Sequence, residues 1–215
     1  MDKEEIQNIR SEYQAAALSE KDASGDPIKQ FDKWFNEAIK AESQEPTAMT
    51  LATATHDGRP SARIVLLKGF DSNGFVFYTN YLSRKGKEIA KNPLGSLLFF
   101  WGTLERQVRI EGTIEKVSKE DSAKYFQTRP RASQLGAVAS PQSQEVPDRD
   151  ILDKKWQQAE AEYLDKDIPK PSYWGGYILK PRLIEFWQGR PSRLHDRILY
   201  KKIDNKNWKK VRLAP

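Results

Sequence analysis

The chain has 215 residues and a formal net charge of +6, with 38% hydrophobic and 31% charged residues. This length and composition indicate one domain with a sizeable core, and the charge favours anionic partners (nucleic acid or phosphorylated small molecules), although a merely basic surface is the alternative. There is no cysteine, which excludes disulfide bonds, thiolate nucleophiles and cysteine metal sites.

No segment has the pattern of a signal peptide or a membrane span. The start, MDKEEIQNIR, lacks an apolar core, and the longest apolar run is only LLFFW at 97–101. We therefore expect a soluble cytoplasmic protein that has no membrane partner. With two histidines and no cysteine, the sequence also predicts no metal site.

Helical spacing of apolar residues is found at the start of the chain. It predicts a helix over 2–17, capped by Asp2, and a second helix that begins at Asp26-Pro27. The apolar stripe expected on the second helix is Ile28, Phe31, Phe35 and Ile39.

From Thr47 the apolar residues alternate with polar ones, which is typical of strands. Strands are predicted at 47–55, 60–70, 75–80, 95–101, 107–117, 173–180, 182–188, 196–203 and 207–213. The strand at 95–101 is apolar on both faces, so we expect it to be covered on both sides. Helices are predicted at 83–92, from Ser118 to about Arg129, and over 148–164. Short strands with hairpin turns and interposed helices indicate an antiparallel barrel with peripheral helices, and 139–150 is its loosest internal stretch.

The stretch RLHDR, residues 193–197, concentrates cations. On a strand, Arg193, His195 and Arg197 share one face, which suits an anion or an electron-rich ring beside Trp187. The alternative is a solvated barrel face with salt bridges. Adjacent His195 and Asp196 point to opposite faces, so a hydrolase dyad is not favoured.

A second cationic stretch lies at the start of a predicted helix. Ser83 has the character of an N-cap, which places Arg84 and Lys85 in the first turn, where acids are normally preferred. The pair makes sense if a phosphate binds the free amides of that turn. A solvent-screened basic cluster is the alternative.

A third stretch, KYFQTRPRASQLG, begins at Lys124. Tyr125 and Arg129 are four residues apart on one helical face, and Pro130 ends that helix and begins the next. Ser133 then lies in the new first turn. The stretch is either a second anion pocket or an ordinary corner between helices.

In RIVLLK, by contrast, Arg63 and Lys68 bracket four aliphatic residues, which predicts an ordinary buried strand with charged ends on opposite faces.

Two anion pockets imply either two phosphorylated ligands or one polyanion. The second option is a basic barrel that binds RNA or single-stranded DNA, although no RNA-binding motif of the RNP type is present. The motifs favour the first. RIVLLKGFDSNGFVFYTNYLSRKG, ERQVRIEG, YFQTRPRASQLGA, QSQ, PSYWGGY, IEFWQG, RLHDR and the terminal RLAP together resemble the pyridoxine/pyridoxamine 5'-phosphate oxidase family, from about Arg10 to Pro215.

The resemblance implies an FMN-binding split barrel that forms a homodimer with active sites at its interface. It implies N-terminal helices with a substrate lid in 1–45 and the barrel in 46–215. The activity implied is oxidation of pyridoxine 5'-phosphate and pyridoxamine 5'-phosphate to pyridoxal 5'-phosphate, with dioxygen as the final acceptor and no nucleic acid as partner. A split-barrel flavoprotein with a different or lost oxidase activity is the alternative.

The resemblance also implies roles for individual residues. The predicted FMN ligands are Arg63, Ile64, Val65, Leu66, Leu67, Lys68, Tyr78, Thr79, Arg84, Lys85, Gln107, Gln142, Ser143, Trp187 and Arg197. The predicted substrate ligands are Arg10 and Tyr13 in the lid, together with Lys68, Tyr125, Arg129, Ser133, Arg193 and His195. The predicted catalytic residues are Arg193, His195 and Arg197. Relatives usually read DPTAM where this chain reads EPTAM, so Glu45 either adjusts the preference between the two substrates or has no consequence.

Overall fold

The computed structural model describes residues 2–8, 12–41, 43–204 and 207–215. These residues form six α-helices, nine β-strands and two short 3-10 helices, Gly102–Leu104 and Pro191–Arg193. The α-helices are α1 (Lys3–Asn8), α2 (Pro27–Lys40), α3 (Arg84–Lys91), α4 (Lys119–Thr128), α5 (Arg131–Ala139) and α6 (Asp150–Glu162). The strands are β1 (Ala48–Ala54), β2 (Pro60–Leu66), β3 (Gly69–Asp71), β4 (Gly74–Asn80), β5 (Leu94–Trp101), β6 (Arg106–Lys116), β7 (Trp174–Gln188), β8 (Asp196–Lys202) and β9 (Trp208–Leu213).

The strands form one sheet in the order β2-β1-β5-β6-β7-β4-β3, and β8 pairs with both β7 and β9. The sequence predicted two strands where the structure has the single strand β7, so that prediction was wrong. Residues 174–179 of β7 pair with β4, and residues 183–188 pair with β8. Pro181, which cannot donate to a ladder, lies where the partner changes. The strand therefore continues through Pro181 without a break.

Helix α1 is much shorter than the helix predicted over 2–17, and residues 12–19 are not helical. The N–H groups of Ala15 and Leu18 donate to the carboxylates of Glu105 and Asp196, at 2.9 and 3.0 Å. These donors are thus used in tertiary contacts that helical spacing cannot reveal.

The caps predicted from local sequence are confirmed. Asp2 Oδ1 accepts from the N–H of Glu5 at 2.8 Å, and Asp26 Oδ1 accepts from the N–H of Ile28 at 2.8 Å. Ser118 Oγ likewise caps α4. Side-chain oxygens in these positions satisfy amides that the first helical turn leaves without partners.

The buried face of α2 is not the predicted stripe. The residues that α2 buries are Pro27, Gln30, Phe31, Trp34 and Ala38. Of the predicted stripe, Phe31 is buried and Ile39 is 49% exposed. The face is rotated because Trp34 packs edge-on against Phe186, with ring centroids 5.3 Å apart.

The chain divides into two compact units. Unit 1 contains Met1–Thr50, Leu97–Glu111 and Pro181–Pro215, and unit 2 contains Leu51–Ser96 and Gly112–Lys180. Aromatic rings dominate the core of unit 1: Phe31, Trp34, Phe99, Trp101, Phe186 and Tyr200. The core of unit 2 includes a cluster of Phe126, Leu135, Ala159, Ile168 and Trp174. The domain boundary predicted after residue 45 stays a prediction.

Strands β5 and β6 show where periodicity succeeds and where it fails. On β6, Val108, Ile110, Gly112 and Ile114 are buried and alternate with less buried residues, as the alternation of apolar and polar residues from Thr47 onward predicts. On β5, Leu97, Phe99 and Trp101 are buried, but Phe100 is 58% exposed. The prediction that β5 is covered on both sides was therefore wrong, because an apolar side chain by itself does not ensure burial.

Candidate functional site

The first candidate region in unit 2 is the start of α3. Ser83 Oγ accepts from the N–H of Gly86 at 3.3 Å, which confirms the predicted cap. A Cβ at Gly86 would lie 2.2 Å from the carbonyl oxygen of Tyr81, so only glycine lets the helix begin this close to the preceding chain. Arg84 and Lys85 consequently occupy the first turn, as predicted.

Lys85 is a buried cation held by neutral oxygens. Its Nζ donates to Gln142 Oε1 at 3.1 Å and to Thr79 Oγ1 at 3.3 Å. Burial, with a smaller contribution from the charge of Arg63, lowers the pKa of this ammonium. No carboxylate of the described residues makes a salt bridge with Lys85. A buried cation beside free helix amides is suited to bind an anion.

The loop that follows α5 supplies two of the predicted ligands. Gln142 Oε1 also accepts from Thr79 Oγ1 at 3.1 Å, so the loop reaches the start of α3. Ser143 is exposed and adopts a left-handed backbone, with φ of 68°. The structure therefore brings Thr79, Lys85 and Gln142 together, as the resemblance implied.

Glu88 was missed by the sequence analysis. It is buried one helical turn after Arg84, and its Oε1 accepts from Arg84 Nε at 2.9 Å. Its Oε2 accepts from Thr53 Oγ1 at 2.5 Å, Ser61 Oγ at 2.6 Å and Arg63 Nη2 at 3.3 Å. Burial alone would raise the pKa of Glu88, but these hydrogen bonds and the arginine charges lower it to about 2. The only local signal was the spacing of Arg84 and Glu88, a common surface pattern.

The predicted ordinary buried strand at RIVLLK is wrong. Strand β2 lies at one end of the sheet order and ends at Leu66, and Ile64 is 63% exposed. Leu66 is 37% exposed, whereas Leu67, beyond the strand, is buried. Lys68 is exposed, and its N–H donates to the carbonyl of Val76 at 2.8 Å. An edge strand buries fewer side chains than a central one, which a run of aliphatic residues does not reveal.

The second candidate region in unit 2 surrounds Arg129. Tyr125 stacks on Tyr78 with ring centroids 3.9 Å apart, and Tyr78 stacks on Trp174 at 5.5 Å. The guanidinium of Arg129 lies 4.7 Å from the centroid of the Trp174 ring. Burial lowers the pKa of Arg129, and its buried Nη1 has no hydrogen-bond partner in the described structure. A buried donor without a partner is costly, so this corner is also suited to bind an anion.

The helical face predicted for Tyr125 and Arg129 needs one correction. Helix α4 ends at Thr128, and Arg129 has an extended backbone with φ of −73° and ψ of 147°. The extended backbone follows from Pro130, which disfavours helical geometry in the residue before it. Helix α5 begins directly after Pro130, and half-buried Ser133 lies in its first turn, as predicted.

RLHDR is not a strand with three cations on one face. Pro191–Arg193 is a 3-10 helix, and Ser192 and Arg193 have φ of 55° and 61°. Strand β8 begins only at Asp196. The alternation of Arg193, His195 and Arg197 therefore does not exist, and the exposed Arg193 sits on a left-handed turn instead.

His195 in unit 1 lies among aromatic rings. Its ring centroid is 4.6 Å from that of Trp187 and 5.9 Å from that of Tyr13. The backbone N–H of Arg190 donates to Nδ1 of His195 at 3.1 Å. Because Nδ1 accepts, the neutral imidazole carries its proton on Nε2, which is a donor. Tyr13, Trp187 and His195 are thus brought together as the resemblance implied.

Arg197 belongs to a charge-paired network in unit 1. Its Nε donates to Glu185 Oε1 at 2.7 Å, and its Nη1 donates to the carbonyl of Ala214 at 2.8 Å. Glu185 is buried, and its Oε2 accepts from Arg109 Nη2 at 2.5 Å. Burial would raise the pKa of Glu185, but hydrogen bonds from both arginines lower it. Nothing in the local sequence indicated Glu185, because its partners are distant in the chain.

Three predicted positions add less. Gln107 is half-buried on β6. Arg10 lies outside the residues that the structure describes. Glu45 is exposed, with a left-handed φ of 47°.

Within the described ranges, no helix is long and apolar enough to cross a membrane, and no group of His, Asp and Glu could hold a metal ion.

Family models match most of the chain. The model described as pyridoxamine 5'-phosphate oxidase matches residues 35–163, and the model described as pyridoxine 5'-phosphate oxidase C-terminal dimerisation region matches residues 174–215. The chain belongs to the pyridoxamine 5'-phosphate oxidase family. This confirms the family that the motifs indicated.

Curated relatives match the chain over nearly its whole length. The pyridoxine/pyridoxamine 5'-phosphate oxidase of Acaryochloris marina is 55% identical, covering 98% of this chain and 95% of that protein. The protein of the same name from Salinibacter ruber is 55% identical, with 98% and 99% covered.

Solved structures confirm the predicted fold class, a split barrel with peripheral helices. PhzG from Burkholderia lata 383, in complex with tetrahydrophenazine-1-carboxylic acid, has a TM-score of 0.87 and 32% identity, covering 94% of this chain and 99% of that one. A pyridoxamine 5'-phosphate oxidase-related, FMN binding protein from Nostoc punctiforme has a TM-score of 0.71 and 18% identity, with 89% and 100% covered, and shows the fold alone.

Proposed function

We propose that this chain is an FMN-dependent oxidase that converts pyridoxine 5'-phosphate and pyridoxamine 5'-phosphate to pyridoxal 5'-phosphate, a step in vitamin B6 cofactor biosynthesis and salvage. Family membership and the names of the relatives support this activity. The observation that carries the proposal is that unit 2 holds two buried donors without anionic partners, Lys85 Nζ and Arg129 Nη1. A phosphorylated cofactor and a phosphorylated substrate would supply one anion each.

The residues at the start of α3 fit the phosphate of FMN. The first-turn amides, the buried Lys85 and the exposed Arg84 offer donors and charge, and Thr79 and Gln142 hold the ammonium in place. When bound, FMN would supply the hydride acceptor, and dioxygen would return it to its oxidised form with release of hydrogen peroxide. The other proposed FMN contacts are residues 63–68, Tyr78, Gln107, Ser143, Trp187 and Arg197.

The corner around Arg129 fits the phosphate of the substrate. The unpartnered Nη1 of Arg129 would donate to it, with Tyr125, Ser133 and Lys68 as further ligands. The aromatic stack on Trp174 restricts where the guanidinium can lie. Holding the phosphate fixes the far end of the substrate, which is how binding energy orients a reacting carbon.

In unit 1 we assign Arg193 and His195 to the pyridine ring of the substrate. The Nε2 proton of His195 makes it a hydrogen-bond donor in its neutral form. Tyr13, which packs on His195, would cover the substrate together with Arg10. Arg197, oriented by Glu185, would stabilise negative charge that develops on the cofactor side of the reaction.

We further propose that the protein acts as a homodimer with its FMN sites at the subunit interface. The description of the C-terminal family model as a dimerisation region supports the dimer. The cytoplasmic location, and the lack of a nucleic-acid or membrane partner, stay predictions from the sequence.

The first test is anaerobic. FMN-loaded protein is mixed with pyridoxine 5'-phosphate, and the visible absorption of the flavin is followed. We expect bleaching that reverses when air is admitted, with one pyridoxal 5'-phosphate formed per flavin reduced. Flavin that binds but stays oxidised with both the alcohol and the amine substrate would overturn the activity. A protein that binds no flavin would overturn the cofactor assignment as well.

A further inference from the structure

Glu88 is a buried carboxylate that contacts two of the arginines assigned to FMN, and its side chain is only 5% exposed. We propose that Glu88 is a positioning residue for the FMN phosphate: it fixes Arg84 through Nε and leaves the outer guanidinium nitrogens free to bind the phosphate. This inference rests on the proposed function and deepens it, because it names the residue that orients one of the proposed phosphate ligands.

The carboxylate of Glu88 is itself held rigidly. Oε2 accepts from the hydroxyls of Thr53 and Ser61 at 2.5 and 2.6 Å, while Oε1 accepts from Arg84 Nε at 2.9 Å. The Arg84 side chain is 63% exposed, so without this bond it would sample many rotamers. A fixed acceptor removes part of that freedom before the ligand arrives, which is preorganisation.

The two arginines use their donors differently. Nη1 of Arg63 donates to Thr53 Oγ1 at 2.5 Å and to the carbonyl of Leu51 at 3.2 Å, and Nη2 donates to Ser61 Oγ and to Glu88. A guanidinium has five N–H donors, and these contacts occupy four of them. Arg63 is therefore committed to holding the hydroxyls and Glu88.

Arg84 has the opposite distribution. Its Nε is bound to Glu88, and neither of its Nη groups donates to any other group that the structure describes. A planar guanidinium held at Nε presents its remaining donors as a fork, the geometry that suits a phosphate. Arg84 is thus free to bind the phosphate together with Lys85, and Arg63 supports Arg84 by holding Glu88.

Charge and position make opposite predictions for the loss of Glu88. A carboxylate near a phosphate repels it, so neutralising Glu88 would strengthen FMN binding if charge alone mattered. If Glu88 positions Arg84, the same change must weaken FMN binding. The sign of the effect therefore distinguishes the two explanations.

The test compares FMN with riboflavin, which lacks the phosphate. Dissociation constants for apo-protein are measured from the quenching of flavin fluorescence, for the wild type and for Glu88→Gln. We expect the FMN constant to rise about tenfold, as for one lost oriented, charge-assisted contact, and the riboflavin constant to stay within about twofold. Asp153→Asn is the matched control, because Asp153 makes a similar pair with Arg149 on α6, at 3.1 Å, and should change neither constant.

Arg84→Lys tests the inference at an exposed position where folding is not in question. Lysine keeps the charge but cannot pair with Glu88 and also present a fork. We expect an FMN loss of similar size, with no further loss when Glu88→Gln is added. Tighter FMN binding in Glu88→Gln, parallel losses for FMN and riboflavin, or wild-type affinity in Arg84→Lys would each overturn the inference. Wild-type protein that binds FMN but oxidises neither substrate would overturn only the proposed activity, and one that binds no FMN would overturn both.

Discussion

The two cation-rich regions of this protein differ in whether their charges are paired. In unit 1, Arg197 pairs with Glu185 at 2.7 Å, and Arg212 pairs with Asp196 at 2.7 Å and with Glu20 at 2.6 Å. In unit 2, Arg63 and Arg84 pair with Glu88, but Lys85 and Arg129 make no salt bridge with any described carboxylate. Paired cations have a structural role, whereas unpaired buried cations are suited to bind an anionic ligand. The net charge of +6 thus becomes informative only when each cation is traced to its partner.

The largest effect is expected at Lys85, where the phosphate of FMN would supply the negative charge that no carboxylate of the described residues supplies. Lys85→Glu puts an anion among the first-turn amides of α3, so it removes one charge-assisted contact and adds repulsion. We expect FMN affinity to fall at least about a hundredfold, measured as flavin content after purification and as the dissociation constant.

Lys155→Glu on the exposed face of α6 is the control, because it changes the net charge equally. It should purify with wild-type flavin content. If Lys85→Glu retains FMN as well as this control does, Lys85 is not a phosphate ligand, and the contrast between the two regions loses its functional meaning.

In unit 1, the two arginines that pair with Glu185, Arg197 and Arg109, are expected to differ in their effect on flavin reduction. Arg197→Ala should slow flavin reduction by about 10- to 100-fold, as for the loss of one preorganised electrostatic contact. Arg109→Ala removes the other partner of Glu185 and should leave reduction near the wild-type rate. Single-turnover reduction under anaerobic conditions separates the two variants. Equal rates of flavin reduction in the two variants would show that Arg197 has no role in the mechanism.

Acid stability should fall in both of these variants. The folded-state pKa of Glu185 lies below its usual 4.5, so its stabilising contribution is present above that value and is lost as the pH falls through the folded-state pKa. Removing either arginine lets the pKa rise. We therefore expect unfolding in acid to begin at a higher pH in Arg197→Ala and in Arg109→Ala alike, measured by circular dichroism.

Arg129→Met, in unit 2, should make the apo-protein more stable and at the same time weaken substrate binding. The apo-protein is expected to gain about 1 kcal/mol in the free energy of unfolding, because a buried donor without a partner is removed. The KM for pyridoxine 5'-phosphate is expected to rise about tenfold, because a phosphate contact is lost. Arg149→Met, at an exposed position on another part of unit 2, should change neither quantity. A less stable apo-protein would show that Arg129 is satisfied without a ligand.

Local features of the fold were predictable because their contacts are close in sequence. The caps by Asp26, Ser83 and Ser118 each bond an amide two or three residues away. The alternation along β6 also needs only neighbouring residues. The start of α3, with Arg84 and Lys85 in its first turn, could thus be predicted from the sequence alone.

The networks that orient the arginines could not be predicted, because their partners are far apart in the chain. Thr53 and Glu88 are 35 residues apart, and Arg109 and Glu185 are 76 apart. Periodicity assigns a residue to a face but does not say which acid lies opposite. The error at RLHDR has a different cause, because a left-handed turn that periodicity does not reveal interrupts the expected strand.

That turn gives the smallest expected effect. Ser192 has φ of 55° and ψ of 19°, a conformation that costs about 1 kcal/mol for a residue with a Cβ. Ser192→Gly should therefore raise the free energy of unfolding by about 0.5 to 1 kcal/mol, measured by urea denaturation. If the turn serves to aim Arg193 at the substrate, a freer backbone should at the same time raise KM without changing the rate of flavin reduction at saturation. Stability and KM that both stay at their wild-type values would mean that the turn is neither strained nor used for positioning, and the assignment of Arg193 to the substrate would lose its structural support.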